Sequence, residues 1–181
     1  VRRTPALAAL ALVALAAASA CTAIRDAASP VCTGEHVDAL VLVAQSVPTA
    51  DRVPCIRGYP AGWNLAKVQV RSGQTSFTLD SDRGGISALR VTLQARCDVT
   101  GATQVPTDEA GTMRYERILS VDAGFRAVRS YRFPGGCVTY RFQFGRRGQA
   151  LVNEASVAVG FVSRTRIDAR LRHESDGKVH L

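Results

Sequence analysis

The chain has 181 residues, of which 23 are Lys or Arg and 15 are Asp or Glu, giving a formal net charge of +8. That length suits one domain with a substantial core, and the positive balance favours anionic neighbours. No RNP, helix-turn-helix or zinc-finger pattern accompanies the charge, which argues against nucleic acid as a partner.

At the N-terminus Arg2 and Arg3 precede an apolar run from Pro5 to Ala20 that ends in small residues, the order of a signal peptide. The run is short for a spanning helix, which needs about 18 to 20 apolar residues, and no later stretch is apolar enough to compete. Residues 1–20 are therefore expected to be a signal peptide, with no transmembrane domain, and Val1 fits a GTG start codon read literally. Two cleavage readings stand side by side. Ala18-Ser19-Ala20 is an A-x-A site for ordinary secretion, and Ala18-Ser19-Ala20-Cys21 is similar to a lipobox in which Cys21 carries the lipid, with Ala18 where Leu is usual. Five cysteines cannot pair completely, whereas setting Cys21 aside leaves Cys32, Cys55, Cys97 and Cys137, which favours the lipid anchor. The expectation is an exported protein on the outer face of the cytoplasmic membrane, or alternatively a secreted one. Residues 21–31 would be a flexible tether broken at Ser29-Pro30, and residues 32–181 a single extracytoplasmic domain.

The four later cysteines contain no C-x-x-C pair, and only His36, four residues after Cys32, sits at metal-ligand spacing, so disulfides account for them better than metal or redox chemistry. Of the three possible pairings, Cys32 with Cys55 and Cys97 with Cys137 joins nearby elements across modest loops and is favoured. Each bridge is worth about 3 to 4 kcal/mol by the chain-entropy argument.

Residues 35–47 form an apolar run compatible with a buried helix ended by Pro48, although Leu40-Val41-Leu42-Val43 would also suit a strand. Residues 48–63, with three prolines, two glycines and Cys55, read as an irregular loop, and Trp63 as a core plug. From Leu65 the period becomes two. Val68 and Val70, then Phe77 and Leu79, alternate across a hairpin at Gly73-Gln74, and Leu89, Val91, Leu93, Ala95 and Cys97 give the clearest half-buried strand. Further strands are expected over 113–121, 125–133 and 137–144, the last two joined by a Pro134-Gly135-Gly136 turn. Residues 149–162 take the helical period, and Ile167, Ala169 and Leu171 return to alternation, predicting a final strand whose other face carries Arg164, Arg166, Asp168, Arg170 and Arg172. The fold class expected is α+β: a mainly antiparallel sheet, half covered by about two helices.

The strings Ala44-Gln45-Ser46-Val47-Pro48, Pro54-Cys55, Gly62-Trp63, Leu79-Asp80-Ser81-Asp82-Arg83 and Phe133-Pro134-Gly135-Gly136-Cys137 resemble those of uncharacterised actinobacterial envelope lipoproteins. The use of arginine in place of lysine, with only Lys67 and Lys178, suits a GC-rich genome. The resemblance implies an exported domain and supplies no activity.

No catalytic template is present: there is no G-x-S-x-G, no S-x-x-K set, no H-E-x-x-H and no P-loop. His36, His173 and His180 are isolated imidazoles. Asp80-x-Asp82 before Gly84-Gly85 is similar to the opening of a calcium loop, but the twelfth position is Val91, so a charged turn is expected. Asp108-Glu109 before Gly111 reads as a surface turn. No metal or cofactor is expected.

The basic residues are more suggestive, because arginine forks match phosphate and carboxylate. Arg114, Arg117, Arg126, Arg129, Arg132, Arg141, Arg146 and Arg147, together with the 164–172 segment, could converge on the solvent face of adjacent strands. Arg141, Arg164, Arg166, Arg170 and Arg172 are the chosen anion-binding candidates. Two functions follow as expectations. One is a non-enzymatic envelope module that binds an anionic lipid or polymer, or docks on a membrane-protein partner. The other is an envelope hydrolase using Asp80, Asp82 and Glu116, which requires those carboxylates to line one cleft.

Overall fold

The structure, a computed structural model, describes residues 29–34, 37–145 and 148–181. The signal segment, Cys21, most of the tether, His36, Arg146 and Arg147 lie outside the described residues.

Two antiparallel meanders build the main sheet. β2 (Trp63–Arg71), β3 (Gln74–Ser81) and β4 (Gly85–Gln94) form the first; β5 (Thr103–Val105), β6 (Met113–Ser120), β7 (Phe125–Phe133) and β8 (Gly136–Phe144) form the second. β8 returns to pair with β4, so the strand order is β2-β3-β4-β8-β7-β6-β5. The hairpins at Gly73 and at Pro134-Gly135 join the strands expected of them, and Gly73 and Gly135 have φ of 82° and 70°, a region that glycine enters without steric cost. β5, three residues long, was too short to leave a periodic signal.

Alternation decides which face is buried. Phe77 and Leu79 on β3, Leu89, Val91 and Leu93 on β4, and Val138, Tyr140, Phe142 and Phe144 on β8 are all buried on one side, and partners across the ladders keep the same side. Each such side chain contributes about 1.5 to 3 kcal/mol on full burial. The covering layer consists of helix α1 (Asp38–Ser46), helix α2 (Gly148–Ala158), helix α3 (Arg164–Glu174) and a separate two-stranded ribbon of β1 (Arg52–Ile56) with β9 (Val159–Ser163). The result is antiparallel sheet with three helices among the described residues, in which one face of the large sheet packs against the helices and the ribbon while the other carries its charged side chains outward over buried Ser76, Thr78, Ser130 and Thr139.

The buried helix expected within 35–47 is present, and three other local readings need correction. Residues 40–43 are helical: α1 buries Leu40, Val43 and Ala44 and stops before Pro48, whose ring disfavours helical geometry in the residue ahead of it. The expected loop at 48–63 contains β1. Pro54 is tolerated there because β9 is the one strand laddered to β1 and the other edge is bridged only at Ile56, by Val31, so position 54 needs no donor. The helix expected over 149–162 ends at Ala158, and Val159–Ser163 is extended. A Cβ on Gly160 would meet Arg57 Nε at 2.1 Å, so the side chain of Arg57 fills the space beside this glycine, and the β-branched Val159 and Val162 favour the ribbon. The last expected strand is α3. Ser163 accepts the Arg166 N–H at its N-cap, and Ile167 and Leu171 are as well spaced for one helix face as for alternation.

Both disulfides have the favoured connectivity. Cys32–Cys55 ties the start of the domain to β1 with Cα atoms 5.0 Å apart. Cys97–Cys137, Cα atoms 5.8 Å apart, holds the exit of β4 to the start of β8, where Cys137 stands opposite Gln94. It therefore staples the seam between the two meanders. Trp63 is buried as expected, and its Nε1–H donates to Glu154 on α2.

Candidate functional site

The uncovered face of the sheet is built by the residues that alternate with the core. Because Leu89, Val91 and Leu93 point inward, Arg90, Thr92 and Gln94 point outward. The register then assembles rows across strands. Thr78, Arg90, Arg141, Val128 and Arg117 form one, running over β3, β4, β8, β7 and β6. Ser76, Thr92, Thr139, Ser130 and Tyr115 form the next. Arg126 stands two residues along β7 from the first row, opposite Gln143.

Arg90, Arg141, Val128, Arg117, Thr92 and Thr139 of these rows line a concave groove of about 840 Å³, whose charged lining is Arg90, Arg96, Arg117, Arg126 and Arg141 against one carboxylate, Asp98. On its floor Thr139 is buried, its hydroxyl 3.3 Å from that of the neighbouring buried Ser130. Arg117 donates to the Thr100 carbonyl at 2.8 Å. The hydroxyl and backbone N–H of Thr100 hold the Asp98 carboxyl below its ordinary range, aided by the charge of Arg117. Arg90, Arg96, Arg126 and Arg141 form no ion pair among the described residues. Arg90 and Arg141 are direct cross-strand partners, an arrangement that repulsion makes unfavourable unless an anion relieves it.

Of the five candidates chosen from sequence, Arg141 alone belongs to this groove. Arg164, Arg166, Arg170 and Arg172 lie on α3 in the covering layer, since the segment is helical and does not present them on one strand face. Arg164 donates to the Ala44 carbonyl at the end of α1 and Arg170 to the Gly34 carbonyl. Arg172 pairs with Asp168 one turn earlier at 2.9 Å, and Arg166 is exposed. Arg114 and Arg129 are on the inner side of the sheet. Arg129 donates to Glu116 at 2.7 Å and to Ser156 of α2 at 2.6 Å, with its guanidinium over the Phe142 ring. Arg114 bridges Asp108 and Glu116. Burial pushes the Tyr131 hydroxyl up to about 12, so it remains protonated and donates to Asp108 at 3.1 Å. Burial opposes ionisation of Asp108 too, but hydrogen bonds from its own backbone N–H, Arg114 and Tyr131 hold its carboxyl below the usual value. This network seals the flank of the core.

The carboxylates proposed for hydrolysis are not brought together. Asp80 accepts the Ser87 N–H at 2.7 Å, Asp82 stands in the β3–β4 turn beside Arg83, and Glu116 is on β6, four strands from β3 in the sheet order, about 19 Å at ordinary strand spacing. The Asp80–Gly85 segment is a charged turn in which Ser81 Oγ accepts the N–H groups of Arg83 and Gly84. Among the described residues no three His, Cys, Asp or Glu side chains gather as they would round a metal ion.

Arg90 and Arg96 were missed by sequence reasoning. The signal for Arg90 was the alternation of β4 itself, which assigns it to the solvent face, whereas Arg96 lies beyond the end of that strand; what alternation could not supply was the pairing of β4 with β8, a contact between residues far apart in the chain.

Comparison with protein-family models gives no match, and comparison with the curated proteins gives none. Among solved structures, a crystal structure of a protein from Bacteroides thetaiotaomicron is similar with a TM-score of 0.35 at 10% identity, over 64% of this chain and 46% of that one. The chain thus spans under half of that protein's length, and a likeness of this size carries no argument.

Proposed function

We propose that this chain is a non-enzymatic binding module of the bacterial cell envelope and that the outer face of its seven-stranded sheet takes an anionic envelope component. The observation that carries this reading is the groove in which Arg90, Arg96, Arg126 and Arg141 stand without carboxylate partners among the described residues. Arginine forks pair with phosphate or carboxylate oxygens, and the Ser and Thr hydroxyls between them suit a ligand that mixes charge with hydroxyl groups. The test is binding of the full chain to poly(glycerol phosphate), a soluble phosphodiester polymer. Affinity should fall steeply with salt, and the double variant R90Q/R141Q should lose about tenfold or more. Salt-insensitive binding, or an undiminished R90Q/R141Q, rejects the groove.

The same reading places the chain outside the cytoplasm as an actinobacterial-type lipoprotein. Its support is the charge-then-apolar order of residues 2–20 and the cysteine parity: two disulfides engage Cys32, Cys55, Cys97 and Cys137, leaving Cys21 as the odd one. Mass spectrometry of the mature N-terminal peptide tests it, the expected species being a diacylglyceryl thioether on Cys21; an unmodified thiol there would mean ordinary secretion.

A further inference from the structure

The arginine groove extends to the end of the sheet at which Ser87, Leu119 and Arg126 line it, and that end carries a second feature the binding reading does not use. β6 ends, β7 begins, β4 begins and β8 ends there, because Phe125 pairs with Phe144, Ser120 with Arg126, and Ser81 with Gly85. At the two turns of this end Ile86 is 84% exposed and Val121 64% exposed, and Leu119 beside the groove mouth is about half exposed. Ile86 is held outward by a built turn. Gly85 and Ser87 on either side of it have φ of 98° and 56°, and the Ser87 N–H is tied to Asp80 at 2.7 Å.

We infer that this end of the sheet docks on a bilayer containing anionic phospholipid, with Ile86, Leu119 and Val121 entering the interface while the groove arginines take the headgroup phosphates. The inference rests on the arginine-face reading and names its ligand class. Charge complementarity selects the occupant: a neutral protein surface would satisfy the apolar tips and leave the arginines unpaired. The depths also agree. Ile86 is four residues from Arg90, and Val121 four from Arg117, but the register shifts before Leu89 and before Ser120 shorten both spans, so the tips stand roughly 10 Å beyond the first arginine row. Arg126, at the level of Ser120, is nearer. Interfacial apolar groups enter to about 5–10 Å, which brings Arg126 to the phosphates and leaves Arg90, Arg117 and Arg141 within reach of long headgroups. Four acids lie at the same end, of which Asp80 is tied to the Ser87 N–H and Glu154 to Arg83. Asp82 has Arg83 beside it, itself held by Glu154, and Asp122, exposed next to Val121, opposes insertion.

The test uses a readout local to the tip, because the N-terminal apolar segment of the full chain can reach vesicles by itself. In I86W, phosphatidylglycerol vesicles with brominated acyl chains should quench the new fluorescence and shift it to the blue, measured against wild type, whose single tryptophan, Trp63, is buried. Phosphatidylcholine vesicles should do neither. Adding R126Q and R90Q to I86W should weaken the vesicle titration about fivefold per arginine, and D122N should strengthen it. No quenching by phosphatidylglycerol vesicles, with poly(glycerol phosphate) still bound, overturns the membrane inference and leaves the groove reading standing. Failure to bind either ligand overturns both. Equal quenching by phosphatidylcholine vesicles also overturns the inference, since the arginines would then have no part in it.

Discussion

Two glycines separate the backbone cost of a turn from the cost of a close approach. Gly73 and Gly135 both have positive φ, but a Cβ on Gly73 meets nothing within 4 Å, whereas one on Gly135 would stand 1.7 Å from the Thr49 carbonyl oxygen. Gly135 also accepts the Thr49 hydroxyl at 2.6 Å, so the hairpin of β7 and β8 is pressed onto the segment leading to β1. Gly73→Ala should cost about 1 kcal/mol, the left-handed penalty alone, and Gly135→Ala more than about 3 kcal/mol; urea titration of both variants checks the difference. At Asp108 the sign of the pH dependence follows from its depressed pKa. Its contribution to stability is present above the unfolded carboxylate value near 3.9 and is lost as pH falls through the lower folded value. The melting temperature of wild type should exceed that of Asp108→Asn by a margin worth under about 1 kcal/mol at neutral pH, because the Asp108 side chain itself is largely exposed. The margin should close below about pH 4. A margin that grows in acid would assign the effect to packing.

At the scale of elements, what was legible depended on how many residues a pattern repeated over. β8 carries alternation from Cys137 to Phe144 and β4 from Leu89 to Gln94, and their inward and outward faces could be read before any partner was known. The short run Val159–Val162 satisfies both periods, and only the ribbon formed with the distant β1 makes it extended. α3 carried a clear cap signal in Ser163 and an Asp168–Arg172 pair at helical spacing, yet the apolar trio Ile167, Ala169 and Leu171 suggested alternation because a helix with one buried residue has almost no stripe to detect. The motif strings are joints of this architecture. Ser46 accepts the Thr75 hydroxyl at 2.6 Å, Gly62 packs against Asp82, and Pro134 accepts the Asp51 N–H. Cysteine parity was the most informative local signal, and its consequence is quantitative. The closed loops span 23 and 40 residues, so Cys32→Ser with Cys55→Ser should cost about 3.5 kcal/mol and Cys97→Ser with Cys137→Ser about 4 kcal/mol by chain entropy. Unfolding free energies measured by urea titration of the two double variants give the comparison. A larger loss at Cys32 and Cys55 would mean that strain or native packing dominates the loop term.

Over the whole molecule the charges are segregated. The ion pairs of the described residues, Arg57 with Glu109, Arg83 with Asp82 and Glu154, Arg114 and Arg129 with Glu116, Arg114 with Asp108, and Arg172 with Asp168, all lie away from the groove. The groove holds five arginines with Asp98 alone opposing them. A surface selected only for solubility would intersperse the signs, so the segregation has a cost that some gain must offset. That cost is measurable at Arg141, which faces Arg90 directly across β4 and β8. Relief of a like-charged cross-strand pair is worth about 0.2 to 1 kcal/mol, so Arg141→Gln should raise the melting temperature by roughly 1 to 3 °C in a chain of this size. The same substitution should weaken binding to poly(glycerol phosphate). Stabilisation together with loss of affinity is the signature of a site held in place by its ligand and against the interest of the free fold. If Arg141→Gln instead lowers the melting temperature and leaves binding intact, the arginine row is a structural feature of the sheet, and the ligand-bearing surface must be sought elsewhere.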